Sequence, residues 1–300
     1  MSTILDHIQR HSVTTHLGRV NYYHSPKPES AASPSPLIFI HGFGGGSSSY
    51  EWAQVYPAFT ATHGVYAPDL IGWGDSQHPD HGYRIKDYLD HLDELLDHFS
   101  PGQPAIVIAS SLTAAFLVRV AIAHPQKFRA LILSCPSGLS DFEADYARTL
   151  LAQIASQPGI DQWFYQLGIA NSFGVRRFME QQQFAQPERI TPAMVQAYTR
   201  VAQLDGAAIA ALAFVRGDLC FDLSHYLPDL TTPTFLVWGE KAQLSPVAIA
   251  HRLVRLNPQA IQSLQVLPDV GLTPQLECPA VMIGLIRKYL QKISTDLSNP

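Results

Sequence analysis

Residues 105–118 read AIVIASSLTAAFLV, an apolar strand-like run that reaches two serines and continues as an apolar helical run. A serine at the tip of such a strand-to-helix turn is lifted above the sheet, and the residues two before and two after it must be small because strand and helix nearly touch there. Ser110 at the tip would be flanked by Ile108 and Leu112, both bulky. Ser111 at the tip is flanked by Ala109 and Thr113. The pattern therefore selects Ser111 as a nucleophile position, although Thr113 is β-branched where the turn would ordinarily carry glycine. A serine that merely caps a helix is the competing reading of the same stretch.

Working outward, the chain alternates strand and helix grammar. Residues 13–24 alternate around Gly18 as a hairpin, and the loop SPKPESAASPSP (25–36) is loose and rich in Pro and Ser. LIFIH (37–41) is a buried strand entering GFGGGSSS, YEWAQVYPAF (50–59) reads as a helix, and GVYAPDL (64–70) returns as a strand. Residues 83–99 place Ile85, Leu89, Leu92 and Leu96 on one helical face, Leu112–His124 is an apolar helix, and RALILSC (129–135) is a further strand. Residues 139–227 then hold only helical patterns before strand grammar resumes at TPTFLVWG (232–239). PVAIAHRLVRL, SLQVLP and ECPAVMIGLIRKYLQKI complete the chain. The expected fold class is α/β: a mostly parallel sheet flanked by helices, with a helical cap inserted after the sixth strand. The expected core is 1–138 and 228–300, and the expected cap, 139–227, covers the sheet edge where open α/β folds bind ligands.

Composition narrows the function. The formal net charge is -5, the pI about 6.2, and Lys and Arg form no dense cluster, so a nucleic-acid partner is not expected. No uncharged apolar run reaches the length of a membrane span, and the N-terminal MSTILDHIQRHSV does not read as an export leader. The three cysteines, Cys135, Cys220 and Cys278, are an odd number without metal-ligand spacing, which suits a reducing cytoplasm. No cofactor and no metal are expected. The low charge leaves the oligomeric state open.

HGFGGG (41–46) follows the first central strand. It has neither G-K-[ST] nor G-x-G-x-x-G, so a phosphate cradle is disfavoured. It can instead aim the Phe43 N–H at a developing oxyanion, with the Leu112 N–H as second donor. LIFIHGFGGGSSSYEW, APDLIGWGDS, the small-flanked Ser111, the helical insertion, TPTFLVWGEK and PDVGLTPQLECP follow one another as in the α/β-hydrolase family. From residue 13 to 293 the chain resembles its capped esterase, lyase and dehalogenase-like group.

That resemblance implies a triad acid at Ala242 and a base at Leu272, since the family commonly reads W-G-x-x-D and G-H-x-x-x-x-E where this chain has WGEKA and GLTPQLE. Both positions carry apolar residues. A serine without its base is a poor nucleophile, and in subtilisin loss of the base costs on the order of 10⁶-fold. Candidates near the site are His41, Gly42 and Trp73 beside the glycine loop, and His225 at the end of the cap. Asp269 and Glu240 read as a turn aspartate and a loop brace, and Cys135 and Ser137 follow the sixth strand without a carboxylate. His124 and His251 read as helix residues, and His78 with His81 as a loop pair. The cap is rich in aromatics that would line an apolar cavity. Three readings stay open: a binder of a small apolar molecule, a hydrolase or lyase for a small hydrophobic carbonyl or ester compound using Ser111 and an unorthodox base, and an interaction module.

Overall fold

The computed structural model describes residues 8–28, 35–157, 159 and 161–295. The proposed absence of a leader rests partly on residues 1–7, and the loose Pro/Ser loop partly on residues 29–34; both lie outside the described residues.

Four central strands, β3 (Leu37–Ile40), β5 (Ala105–Ser110), β6 (Phe128–Ser134) and β7 (Thr234–Gly239), are almost continuously apolar and buried on both faces. Runs of that kind belong to parallel strands covered by helices on either side. The less buried β1 (Gln9–Thr15), β2 (Gly18–Ser25), β4 (Val65–Pro68) and β8 (Ile261–Leu267) complete an eight-stranded sheet of order β1-β2-β4-β3-β5-β6-β7-β8. β1 and β2 pair antiparallel, as do β2 and β4; every other pair is parallel.

Period-two alternation divides the interior. Val107 and Ala109 of β5, with Ile38 and Ile40 of β3, face the cluster beneath α1 (Ile85–Phe99) and α2 (Ser111–Ala123). Ile106, Ile108, Leu37 and Phe39 face the opposite cluster. One difference from expectation lies there. Residues 50–59 form two 3-10 turns, Ser49–Trp52 and Tyr56–Phe59, rather than one α-helix. Pro57 supplies no N–H to a continuing α-helical ladder, and the Ser48 hydroxyl accepts the Tyr50 N–H at the first turn.

Between β6 and β7 the chain leaves the sheet as a helical cap. Its helices are α3 (Leu150–Ala155), α4 (Asp161–Gly168), α5 (Ser172–Phe178), α6 (Pro192–Ala202) and α7 (Ala207–Arg216). α8 (Val247–Leu256), the short α9 (Pro274–Glu277) and α10 (Pro279–Thr295) return to the core. The chain strands leading into and out of the cap touch at a Leu139–Phe221 bridge. Asp141 pins this neck: it accepts the Ser137 hydroxyl at 2.6 Å and the backbone N–H groups of Gly138 and Leu223.

β3 and β5 are hydrogen-bonded neighbours, Ile40 opposite Ala109, although β4 intervenes in sequence. Connections leave β3 in one direction and β5 in the other, so the loops following both strands open at the sheet's topological switch point. Open α/β sheets bind ligands in that crevice.

Candidate functional site

At the end of β5 the backbone turns sharply. Ser110 is extended (φ -122°), whereas Ser111 has φ 55°, in the left-handed region that costs a non-glycine residue about 1–2 kcal/mol. The two serines have opposite fates. Ser110 is 1% exposed and donates downward to Glu51, while Ser111 opens α2 and remains partly accessible. Among the described residues no hydrogen bond is made by Ser111 Oγ. Thr113, two residues on, is fully buried and its hydroxyl has no partner, the cost of a polar β-branched residue at that crowded turn.

The glycine loop presses against the elbow. A Cβ on Gly42 would meet Ser110 Oγ and Ser111 Cβ, each at 3.1 Å, so glycine is what permits this approach. The Gly42 N–H is engaged by Glu51 at 3.0 Å. Neither the Phe43 N–H nor the Leu112 N–H has an internal acceptor among the described residues, which leaves both available to an oxyanion.

Glu51 escaped the sequence reading. It is 2% exposed and its carboxylate accepts four hydrogen bonds: from Gly42 N (3.0 Å), Ser47 Oγ (2.9 Å), Ser110 Oγ (3.1 Å) and Gln275 Nε2 (3.4 Å). It thus ties together the glycine loop, the elbow and the segment following β8. Burial, then the charge of Glu51, push the fully buried Tyr198 phenol of α6 well above its ordinary range, so it stays neutral. A sequence signal existed: Glu51 is the one Asp, Glu, Lys or Arg between Ile40 and Asp69.

Leu272 and Ala242 are 5% and 4% exposed and join the principal apolar cluster. The cap closes over Leu272, whose N–H donates to the Gln183 carbonyl at 2.7 Å. Glu277 fastens this junction. Its wholly buried carboxylate accepts the N–H groups of Gly271 (2.7 Å), Ala185 (3.2 Å) and Gln186 (3.1 Å), and pairs with Arg189 at 3.1 Å. A Cβ on Gly271 would lie 2.2 Å from the Gln183 carbonyl, so glycine is required for the cap to dock.

A cavity of about 470 Å³ lies between the glycine loop and the cap. Gly44 and Gly45 form its floor, with Phe164, Ile169, Phe178, Phe214 and Leu244 among its apolar walls. Ser111 is not among the lining residues.

The four pocket candidates from the sequence also stand elsewhere. His41 is fully buried beneath the loop: Nδ1 donates to the Gly42 carbonyl (2.7 Å) and Nε2 accepts the Leu70 N–H (3.0 Å), so both ring nitrogens are committed to backbone. Gly42 packs on the elbow. Trp73 stacks on Phe43 at 4.9 Å and gives its indole N–H to Tyr88, within the core rather than on the cavity floor. His225, on a short 3-10 turn (Leu223–His225), has a side chain 72% exposed and 3.7 Å from Asp222, so it points to solvent.

The remaining candidates are accounted for by local contacts. Glu240 is held below the usual carboxylate range by Lys241 and by the Asp269 N–H, so it braces the turn where Asp269 has φ 53°. His78 and His81 bond separately, to the Gly74 carbonyl and to Asp87. His124 lies 3.7 Å from Asp93, and His251 is exposed. Burial pushes the Cys135 thiol up to about 12. Among the described residues no group of three or more His, Cys, Asp or Glu side chains is arranged to hold a metal ion, and no helix is long and apolar enough to cross a membrane.

Known proteins place this architecture. Residues 35–278 match the family described as alpha/beta hydrolase fold. The 2-hydroxymuconate semialdehyde hydrolase of Pseudomonas sp. (strain CF600) is 34% identical over 107 residues, a match spanning 35% of this chain and only 38% of that protein. Epoxide hydrolase 4 of Mus musculus is 26% identical over 274 residues, spanning 85% of this chain and 73% of its own. Among solved structures, a serine hydrolase involved in carbazole degradation superposes with a TM-score of 0.75 at 20% identity, covering 95% of this chain and 99% of the other. With the matched region covering most of its length, from before β3 to the end of α9, the chain belongs to the α/β-hydrolase fold family.

Proposed function

We propose that this chain holds a small apolar molecule beneath its cap and does not run ordinary serine-hydrolase turnover. The observation carrying the reading is the surroundings of Ser111. No histidine or carboxylate is hydrogen-bonded to its Oγ among the described residues, and Ala242 and Leu272 occupy the positions where the family resemblance puts acid and base. A serine hydroxyl needs a base to accept its proton, and the base needs an orienting group. The cavity suits binding alone, being largely apolar, of ligand size and lined by residues other than Ser111.

A second reading is favoured by a different observation. Ser111 has the strained φ of an elbow, and the Phe43 and Leu112 N–H groups have no internal acceptor among the described residues. The similar proteins named above are hydrolases. On that reading the chain turns over a small hydrophobic carbonyl or ester compound with Ser111 and an unorthodox base. An interaction module would instead show a collapsed cavity; the cap does expose Trp163, Leu167 and Phe173, but the cavity is open.

Calorimetric titration with a neutral ketone such as 4-phenyl-2-butanone, alongside hydrolysis of phenylacetate esters, separates the two principal readings. Binding without ester turnover is expected. Turnover at ordinary enzymic rates that disappears in Ser111→Ala would establish the second reading, and absence of binding would remove the first.

A further inference from the structure

Two adjacent arginines on α5 differ in one respect. Arg176 meets Glu180 one turn on, Nε to Oε1 at 2.8 Å, and is neutralised there. Arg177 has Gln181 at the equivalent position, and its Nε donates to the neutral amide oxygen at 3.4 Å. Among the described residues no carboxylate lies within ion-pairing distance of Arg177. Arg176 lines a separate groove, whereas Arg177 lines the cap cavity and is its one charged lining residue among the described residues.

The rest of the lining divides by polarity. The walls are phenyl, isoleucyl and leucyl groups, while Gln181, Gln182, Thr149 and Tyr146 stand with Arg177 as the polar members. Burial pushes Tyr146 up to about 12, so its hydroxyl is a neutral donor. No Asp or Glu lines the cavity. The polar part is therefore neutral except for a guanidinium whose Nε is already held and whose two Nη groups make no hydrogen bond among the described residues.

α5 is a firm mount for that group. The Asn171 side chain caps it by accepting the Gly174 N–H at 2.9 Å, and a Cβ on Gly174 would lie 2.2 Å from the Gly168 carbonyl, so α4 and α5 are in backbone contact. The overall charge of -5 does not itself attract anions, so any anion preference must come from a local cation.

Resting on the reading that the cap cavity is the binding site, we propose that its ligand is amphipathic: a small apolar body with a carboxylate, the carboxylate being bound by the Arg177 guanidinium. A planar guanidinium matches the two oxygens of a carboxylate, and charge-assisted hydrogen bonds of this kind are about twice as strong as neutral ones.

The test compares 4-phenylbutanoate with uncharged 4-phenyl-2-butanone by calorimetry, on the parent, Arg177→Gln, Arg177→Lys and, as a neighbouring charge control, Arg176→Gln. The parent should bind the carboxylate about tenfold more tightly than the ketone. Arg177→Gln should erase that preference, read as the ratio of carboxylate to ketone affinity, Arg177→Lys should keep part of it, and Arg176→Gln should keep all of it. Rising salt should weaken the carboxylate alone. If Arg177→Gln leaves the preference intact, or Arg176→Gln erases it equally, the assignment to Arg177 is overturned while the cavity reading stands. If the parent binds neither probe, the cavity reading fails and the carboxylate assignment falls with it.

Discussion

Replacing Glu51 by alanine should cost the fold several kcal/mol although the sequence alone assigns Glu51 no role. Truncation removes the acceptor of four hydrogen bonds. The Ser47 and Ser110 hydroxyls can rotate toward other acceptors, but the Gly42 N–H is fixed by its backbone and the Gln275 amide is fully buried. An orphaned buried donor costs about 1–3 kcal/mol, so these two alone give about 2–6 kcal/mol, and the void left by the side chain adds to it. The expected loss is about 3–6 kcal/mol, read as a lower urea midpoint at unchanged slope. Trp52 is a suitable reporter, because its buried indole bonds to the Ile40 carbonyl one residue from Glu51. Glu51→Gln should cost less, since one oxygen remains an acceptor. A double-mutant cycle between Glu51→Gln and Ser110→Ala should show coupling of about 0.5–3 kcal/mol. A Glu51→Ala loss below about 0.5 kcal/mol, or strict additivity with Ser110→Ala, would refute Glu51 as the tie between loop and elbow.

Glu277→Gln should loosen the cap rather than the core, lowering local stability by about 1–3 kcal/mol; faster limited proteolysis near residues 183–190 with a nearly unchanged global melt would show it. His91 gives a pH dependence. Burial lowers it to about 3, with the charge of His16 a lesser cause, and Nε2 accepts the Ile71 N–H. The folded value lies below the unfolded 6.5, so its stabilising contribution is present above pH 6.5 and is lost as pH falls toward 3, at up to about 1.4 kcal/mol per pH unit. From pH 7 to 5 it should account for about 2 kcal/mol of lost stability. His91→Gln should flatten that slope, and an unchanged slope would show that His91 is not its source.

The fold was legible because its signals are local. Unbroken apolar runs such as AIVIA and LIFI are characteristic of strands buried on both faces, and the switch from strand to helix grammar after LILSC marks the insertion. The elbow was legible from side-chain size at Ala109 and Thr113. What remained hidden depends on distance in sequence. Glu51 acquires meaning from Ser110 and Gln275, and Glu277 from Ala185, Gln186 and Arg189, contacts that no spacing rule announces. His41 was misplaced for the same reason: its neighbour in sequence is the glycine loop, but its ring points back to Leu70. The single α-helix expected over residues 50–59 underweighted Pro57.

The most direct test of the account is intact-mass labelling by a fluorophosphonate ester, which adds to an activated serine. The parent is predicted to stay unlabelled, whereas Ala242→Asp/Leu272→His, placing an acid and a base where the family resemblance puts them, is predicted to label at Ser111 and to lose that labelling when Ser111→Ala is added. Rapid labelling of the parent, abolished by Ser111→Ala, would contradict the account, since an activated Ser111 would require a base, and no hydrogen bond to its Oγ among the described residues provides one.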